Sequence, residues 1–200
     1  MGGAVVGVAG RQFPWQLSLS TGWLGMFYQH RCGAALITRR HALTAAHCLA
    51  GRGSWWSLPG AGLYLLAGFR THQQRDTAAV GRVVRYTLHP QFVSSTYEQV
   101  HRLFFLNFLN ITFCFQDIAV LELARPFLLS PAVLPVCMPA PSLSRPAHYT
   151  SLVGRPAWLS GWGRRWGGGP LASQLQAVLL PVLDNYQCMA WYNGTGLPQV

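Results

Sequence analysis

The hexapeptide LTAAHC, residues 43–48, sets one of the chain's seven histidines beside one of its five cysteines. Three chemistries are open to such neighbours: a metal site, a redox pair, or a catalytic base held near a structural disulfide. Imidazole titrates near neutrality, so His47 has the type of side chain that accepts a proton and returns it within one cycle. The cysteines are Cys32, Cys48, Cys114, Cys137 and Cys188. No Cys-x-x-Cys occurs and no His/Cys cluster has zinc-finger spacing, so neither a metal nor another cofactor is expected. A second group that could do chemistry is Asp117. It opens the apolar run DIAVLEL, where a carboxylate needs a polar partner. No serine stands in a Gly-x-Ser-x-Gly setting.

The elements that must position these residues are strands. Half the residues are hydrophobic and a tenth are charged, with 21 Gly and 13 Pro to break up the chain. Short apolar or alternating runs recur between turn signals: PWQLSLS, GAALITR, LYLLAGF, GRVVRYTLH, IAVLELA, AWLSGWG and LQAVLLPVL. Such runs predict an all-β sandwich or barrel. The Pro-rich stretch at 134–147 interrupts them, which predicts a barrel of about six strands over 1–134, a connector over 135–147, and a remainder of two or three strands over 148–200.

Every one of the 15 basic side chains is arginine, against five carboxylates, for a formal net charge of +10. Guanidinium groups in this excess favour sulfated or phosphorylated polyanions. Apart from Arg39-Arg40 and Arg164-Arg165 they are scattered along the sequence, no helix concentrates them, and no nucleic-acid motif accompanies them. A generic basic surface with weak polyanion binding, and no nucleic-acid partner, is the expectation. The apolar segment 103–115 has 13 residues with two Asn, short of the ~20 that a membrane helix needs, so no membrane span is expected.

FPWQLSL (13–19), HRCGAALITRRHALTAAHC (30–48), LHPQF (88–92), DIAVLEL (117–123), LPVCMP (134–139) and SGWG (160–163) occur in this order, and together they resemble the trypsin/chymotrypsin family of serine proteases. The resemblance implies an all-β, chymotrypsin-like double β-barrel, its first barrel largely present and its second incomplete. It implies that His47 is the general base and Asp117 its orienting carboxylate, in the Ser-His-Asp scheme. It also implies a disulfide between Cys32 and Cys48, sixteen positions apart, a closure of the size that contributes roughly 3 kcal/mol in the chain-entropy model. Protein or peptide substrates and an extracellular location are implied too, although no signal peptide is visible.

The chain departs from the family in several places. The Gly-Asp-Ser-Gly-Gly-Pro loop that carries the nucleophile does not occur, and with it go the oxyanion hole and the specificity pocket. The chain therefore reads as truncated before that loop. Gly2-Gly3 retains part of an activation start, but Met1 stands where an apolar pair is usual. Cys137 and Cys188 match family positions whose partners are not found, and Cys114 fits no pairing. Residues 100–116 interrupt the usual short path from HPQF to DIAVL. They begin with Val, whose codons start with GT, and end with Gln, which CAG encodes, so the segment is read as a retained intron with a family insertion as the alternative. Asn193 is a glycosylation candidate in Asn-Gly-Thr, whereas Asn110 falls in that segment.

The functional expectation is a trypsin-like endopeptidase domain, catalytic in a complete form and inactive as these 200 residues. The alternatives are a secreted, non-catalytic protease-like binding protein and an incomplete gene model.

Overall fold

The computed structural model describes residues 6–7, 13–49, 61–71, 74, 78–92, 116–139, 152–164, 168–184 and 187. Its strands are β1 (Val6–Gly7), β2 (Gln16–Trp23), β3 (Met26–Leu36), β4 (His41–Thr44), β5 (Ala61–Ala67), β6 (Ala79–Leu88), β7 (Ala119–Leu123), β8 (Pro156–Gly161) and β9 (Gln176–Pro181). A 3-10 turn, Ala46–Cys48, follows β4. The chain divides into two compact units, Phe13–Val136 and a second built from Met1–Gln12 with Cys137–Val200. The fold is all-β, as expected.

In the first unit, six strands close a barrel in the order β2-β3-β4-β7-β6-β5. Every neighbouring pair is antiparallel, and β2 meets β5 along Leu17↔Ala67 to Trp23↔Ala61. Closure leaves no row of unpaired backbone groups at an edge. The period-two pattern explains the core: in β7, Ala119, Leu121 and Leu123 are buried while Val120 and Glu122 alternate with them. Leu17, Leu19, Leu36, Leu65, Leu121 and Leu123 meet inside, fully buried. Each such side chain contributes about 1.5–3 kcal/mol relative to exposure. Gly81 on β6 is required by this packing, because a Cβ there would lie 2.9 Å from Leu123 Cδ2 and 3.0 Å from Phe127 Cζ.

Two features differ from the sequence expectation. The barrel contains β4, which was not among the runs read as strands, because four residues are too short for alternation to stand out. The first twelve residues, placed with the first barrel by the sequence division, group with the second unit. The reason is strand pairing: Val6 and Gly7 lie opposite Ala177 and Gln176 of β9. The first unit ends at Val136, whose N–H still donates to Leu36 O at 2.8 Å.

The second unit holds a three-stranded sheet in the order β1-β9-β8. Trp162, Leu175 and Ala177 are buried, but Trp158 and Leu159 are 56% and 62% exposed. Successive strand residues face opposite sides, so both faces of β8 carry exposed apolar surface. Residues 100–115, Cys114, Cys188, Asn110, Asn193 and Gly2-Gly3 lie outside the described residues.

Candidate active site

The register between β4 and β7 brings the two chemical groups together. Thr44 lies opposite Ala119, so the chain leaving β4 and the chain entering β7 run side by side. His47 comes three residues after Thr44, and Asp117 two residues before Ala119. In an antiparallel pair these continuations meet.

The 3-10 turn presents the histidine. Ala46 and Leu49 are buried and act as anchors. Cys48 is bonded to Cys32 on β3, with Cα atoms 6.3 Å apart, so the turn is tied to a second strand. Between these anchors the His47 side chain is 65% exposed and faces solvent.

Asp117 is held on both oxygens by that one residue. The His47 backbone N–H donates to Oδ1 at 2.8 Å, and ring Nδ1–H donates to Oδ2 at 2.6 Å. Desolvation pushes the Asp117 carboxyl upward. Hydrogen bonds from the His47 ring and from the backbone amides of His47 and Ala46 outweigh it, with the His47 charge adding to them, and hold the carboxyl below its ordinary value. An ionised carboxylate accepts only, so Nδ1 carries a proton, and in a neutral imidazole the lone pair is then on Nε2. Nε2 lies 3.6 Å from Cys48 Sγ, a disulfide sulfur with no proton to give.

This geometry decides among the chemistries open to LTAAHC. Cys32, His47 and Cys48 do bring ligand-type atoms within 4.8 Å of one another. The two sulfurs are joined to each other, however, and offer neither a pair of thiolates for a metal nor a reduced dithiol. What remains is an imidazole paired with a carboxylate beside a structural disulfide.

Among the described residues no hydroxyl is hydrogen-bonded to His47 Nε2. A serine–histidine contact does occur elsewhere: Ser18 Oγ shares hydrogen bonds with His30 Nδ1 at 2.7 Å and with Ser20 Oγ at 2.9 Å. Ser18 and Ser20 are fully buried, so no substrate carbonyl reaches either hydroxyl. The alternation of PWQLSLS signals a strand and gives no sign of this buried polar pair. Cys137 is a free, exposed thiol.

The sequence compares with known proteins over nearly all of its length. The trypsin family model matches residues 5–199. The chain is 33% identical over 199 residues to serine protease filzig of Drosophila melanogaster, covering 97% of this chain and 10% of that protein. It is 32% identical over 176 residues to chymotrypsin-C of Rattus norvegicus, covering 88% of this chain and 54% of that protein. Transmembrane protease serine 9 of Rattus norvegicus is 33% identical over 183 residues, covering 90% and 14%. The chain thus spans about half of one relative and smaller shares of the others. Among the described residues no helix is long and apolar enough to cross a membrane.

Proposed function

The chain belongs to the trypsin family of serine proteases, and on that premise we propose that it contributes the general base and the orienting carboxylate of a Ser-His-Asp endopeptidase. The observation that carries this reading is the two-point clamp of His47 on Asp117. The clamp fixes the imidazole plane and puts the ring proton on Nδ1. Nε2 is then the atom that accepts the proton of an attacking serine hydroxyl and later delivers it to the leaving amine. Asp117, kept ionised, stabilises the imidazolium in between. Protein or peptide chains are the proposed substrates.

The 200 residues contain no serine in a Gly-x-Ser-x-Gly setting, so these residues by themselves do not carry out acyl transfer. The oxyanion donors that accompany that serine in the family are each worth about 2.7–4 kcal/mol of transition-state stabilisation. The Cys32–Cys48 disulfide supports an oxidising, extracellular setting. There the Asn193 sequon is a glycosylation site. Residues 100–116 are read as intron-derived, and transcripts that uniformly retain them as coding sequence would remove that reading.

The test is labelling with a fluorophosphonate probe. The 200-residue chain is expected to remain unlabelled, while an in-frame extension carrying a Gly-Asp-Ser-Gly-Gly loop is labelled and loses labelling on His47→Ala. Stoichiometric labelling of the 200-residue chain, or an extension indifferent to His47, would overturn the proposal.

The net charge supports a polyanion as a second class of partner, distinct from any substrate.

A further inference from the structure

Arginines that are scattered in the sequence converge in the barrel. Arg39 and Arg40 lie in the β3–β4 turn, Arg82 and Arg85 on β6, and Arg125 just beyond β7. Backbone hydrogen bonds join these three segments: Leu123 N–H donates to Arg40 O, Phe127 N–H to Arg39 O, and Ala124 N–H to Arg82 O, all at 2.8–2.9 Å. All five arginines are exposed.

One carboxylate, Glu122, stands among them. Its Oε2 accepts from Arg85 Nε at 2.8 Å, and its Oε1 lies 3.4 Å from Arg40 Nη2. The hydrogen bond from Arg85 holds the Glu122 carboxyl below its ordinary value, so it is ionised at neutral pH. A single negative charge offsets one of these two guanidinium groups. Arg39, Arg82 and Arg125 have no carboxylate partner among the described residues.

The arginines are also positioned. Arg39 Nε donates to Phe127 O at 3.3 Å and Arg40 Nε to Leu123 O at 2.9 Å, so two of the side chains are already restrained. Arg82 and Arg125 line an open cleft of about 290 Å³, together with Gly81, Pro126 and Phe127. Guanidinium groups are weakly hydrated forks that match tetrahedral oxyanions. Placing several on one face, partly ordered in advance, lowers the entropy lost on binding a polymer of such anions.

We propose that this face is a binding site for a sulfated polysaccharide, with a sulfate group seated between Arg82 and Arg125. It deepens the polyanion reading above and rests on that reading alone. A sulfated glycan is favoured over a nucleic acid because the Cys32–Cys48 disulfide supports the extracellular setting proposed above. Glu122 lies on β7 and Asp117 precedes that strand, five residues away in sequence and at most roughly 17 Å at ~3.4 Å per residue. On this proposal the polymer acts as a tether.

The experiment titrates the 200-residue chain with a fluorescent heparin dodecasaccharide at several salt concentrations. Fully desulfated heparin and single-stranded DNA of equal charge serve as comparison ligands. The double variant Arg82→Gln/Arg125→Gln is expected to lose about tenfold in affinity near physiological salt. The slope of log affinity against log salt should become shallower by about two, as two anion contacts are lost. Arg31→Gln/Arg155→Gln removes the same charge elsewhere and is expected to lose less than threefold. Glu122→Gln, which keeps the side-chain shape, is expected to bind more tightly. Equal losses in the two double variants would reduce the site to a generic basic surface and overturn the proposal. Tighter binding of DNA through Arg82 and Arg125 would assign the face to nucleic acid instead. Fluorophosphonate labelling of the extended chain does not depend on these arginines, so this proposal and the protease reading fail separately.

Discussion

His47 gives both of its polar hydrogens near Asp117 to that one carboxylate, the backbone N–H to Oδ1 and the ring Nδ1–H to Oδ2. The orientation of the imidazole within its anchored turn is thereby tied to a single carboxylate, and this relationship leads to the first two predictions.

Replacing Asp117 with Asn puts an amide where an acceptor stood. The amide NH₂ can donate to Nδ1, which moves the ring proton to Nε2 and removes the lone pair that accepts a proton. Nitrogen-15 NMR of the 200-residue chain is expected to report the Nδ1–H tautomer for His47 in the wild type and Nε2–H in the variant. In an extended chain carrying the nucleophile, kcat is expected to fall by about 10⁴-fold, the size of effect this exchange has in the template triad. Retention of the Nδ1–H tautomer in the variant would show that something else orients the ring.

Acid should release the same contact. The folded carboxyl of Asp117 titrates below its unfolded value of about 3.9, so its contribution is fully present above that value and lost as pH falls through the lower, folded one. Glu122 has the same sign. Denaturation midpoints of wild type and Asp117→Asn are expected to run parallel from pH 8 to 5. Below about pH 4 they should converge, because the wild type loses what the variant never had. Convergence already at pH 6 would contradict the depressed carboxyl.

Reduction of Cys32–Cys48 is expected to cost roughly 3 kcal/mol, the chain-entropy value for a loop of this size. Urea unfolding of Cys32→Ser/Cys48→Ser measures it. The turn that carries His47 should loosen as well, seen as faster exchange of the His47 amide in this variant.

Leu121→Ala removes a fully buried side chain from the middle of β7. It should lower barrel stability by about 2–5 kcal/mol, the range for such cavities. A cost below 1 kcal/mol would mean that the barrel repacks freely around the site.

Limited proteolysis should attack the second unit first. Its described sheet has three strands with apolar side chains exposed on both faces of β8, whereas the first unit closes on itself. Early fragments ending near Val136 are the expected result, and simultaneous loss of both units would argue against it.

The two halves of this molecule were unequally legible. Runs such as IAVLELA and PWQLSLS announce strands because period-two alternation is local, needing only a residue and its near neighbours. β4 escaped because HALT is too short to show a period, yet it is the strand that aligns His47 with Asp117. β1 escaped because two residues carry no pattern, and only their pairing with β9 assigns them to the second unit. The buried Ser18–Ser20–His30 contact depends on a partner twelve positions away.

The sequence by itself determined most of the strands and the family motifs, and it singled out His47, Asp117 and the Cys32–Cys48 pair as candidates, because each is written in side-chain type and short spacing. The tertiary structure alone decided that both Asp117 oxygens accept from His47, that Arg40 and Arg85 from separate segments meet at Glu122, and that Arg39 reaches Phe127. Those are relations across 37 to 88 residues of chain. Only the register of a closed barrel brings such distant groups within hydrogen-bonding reach.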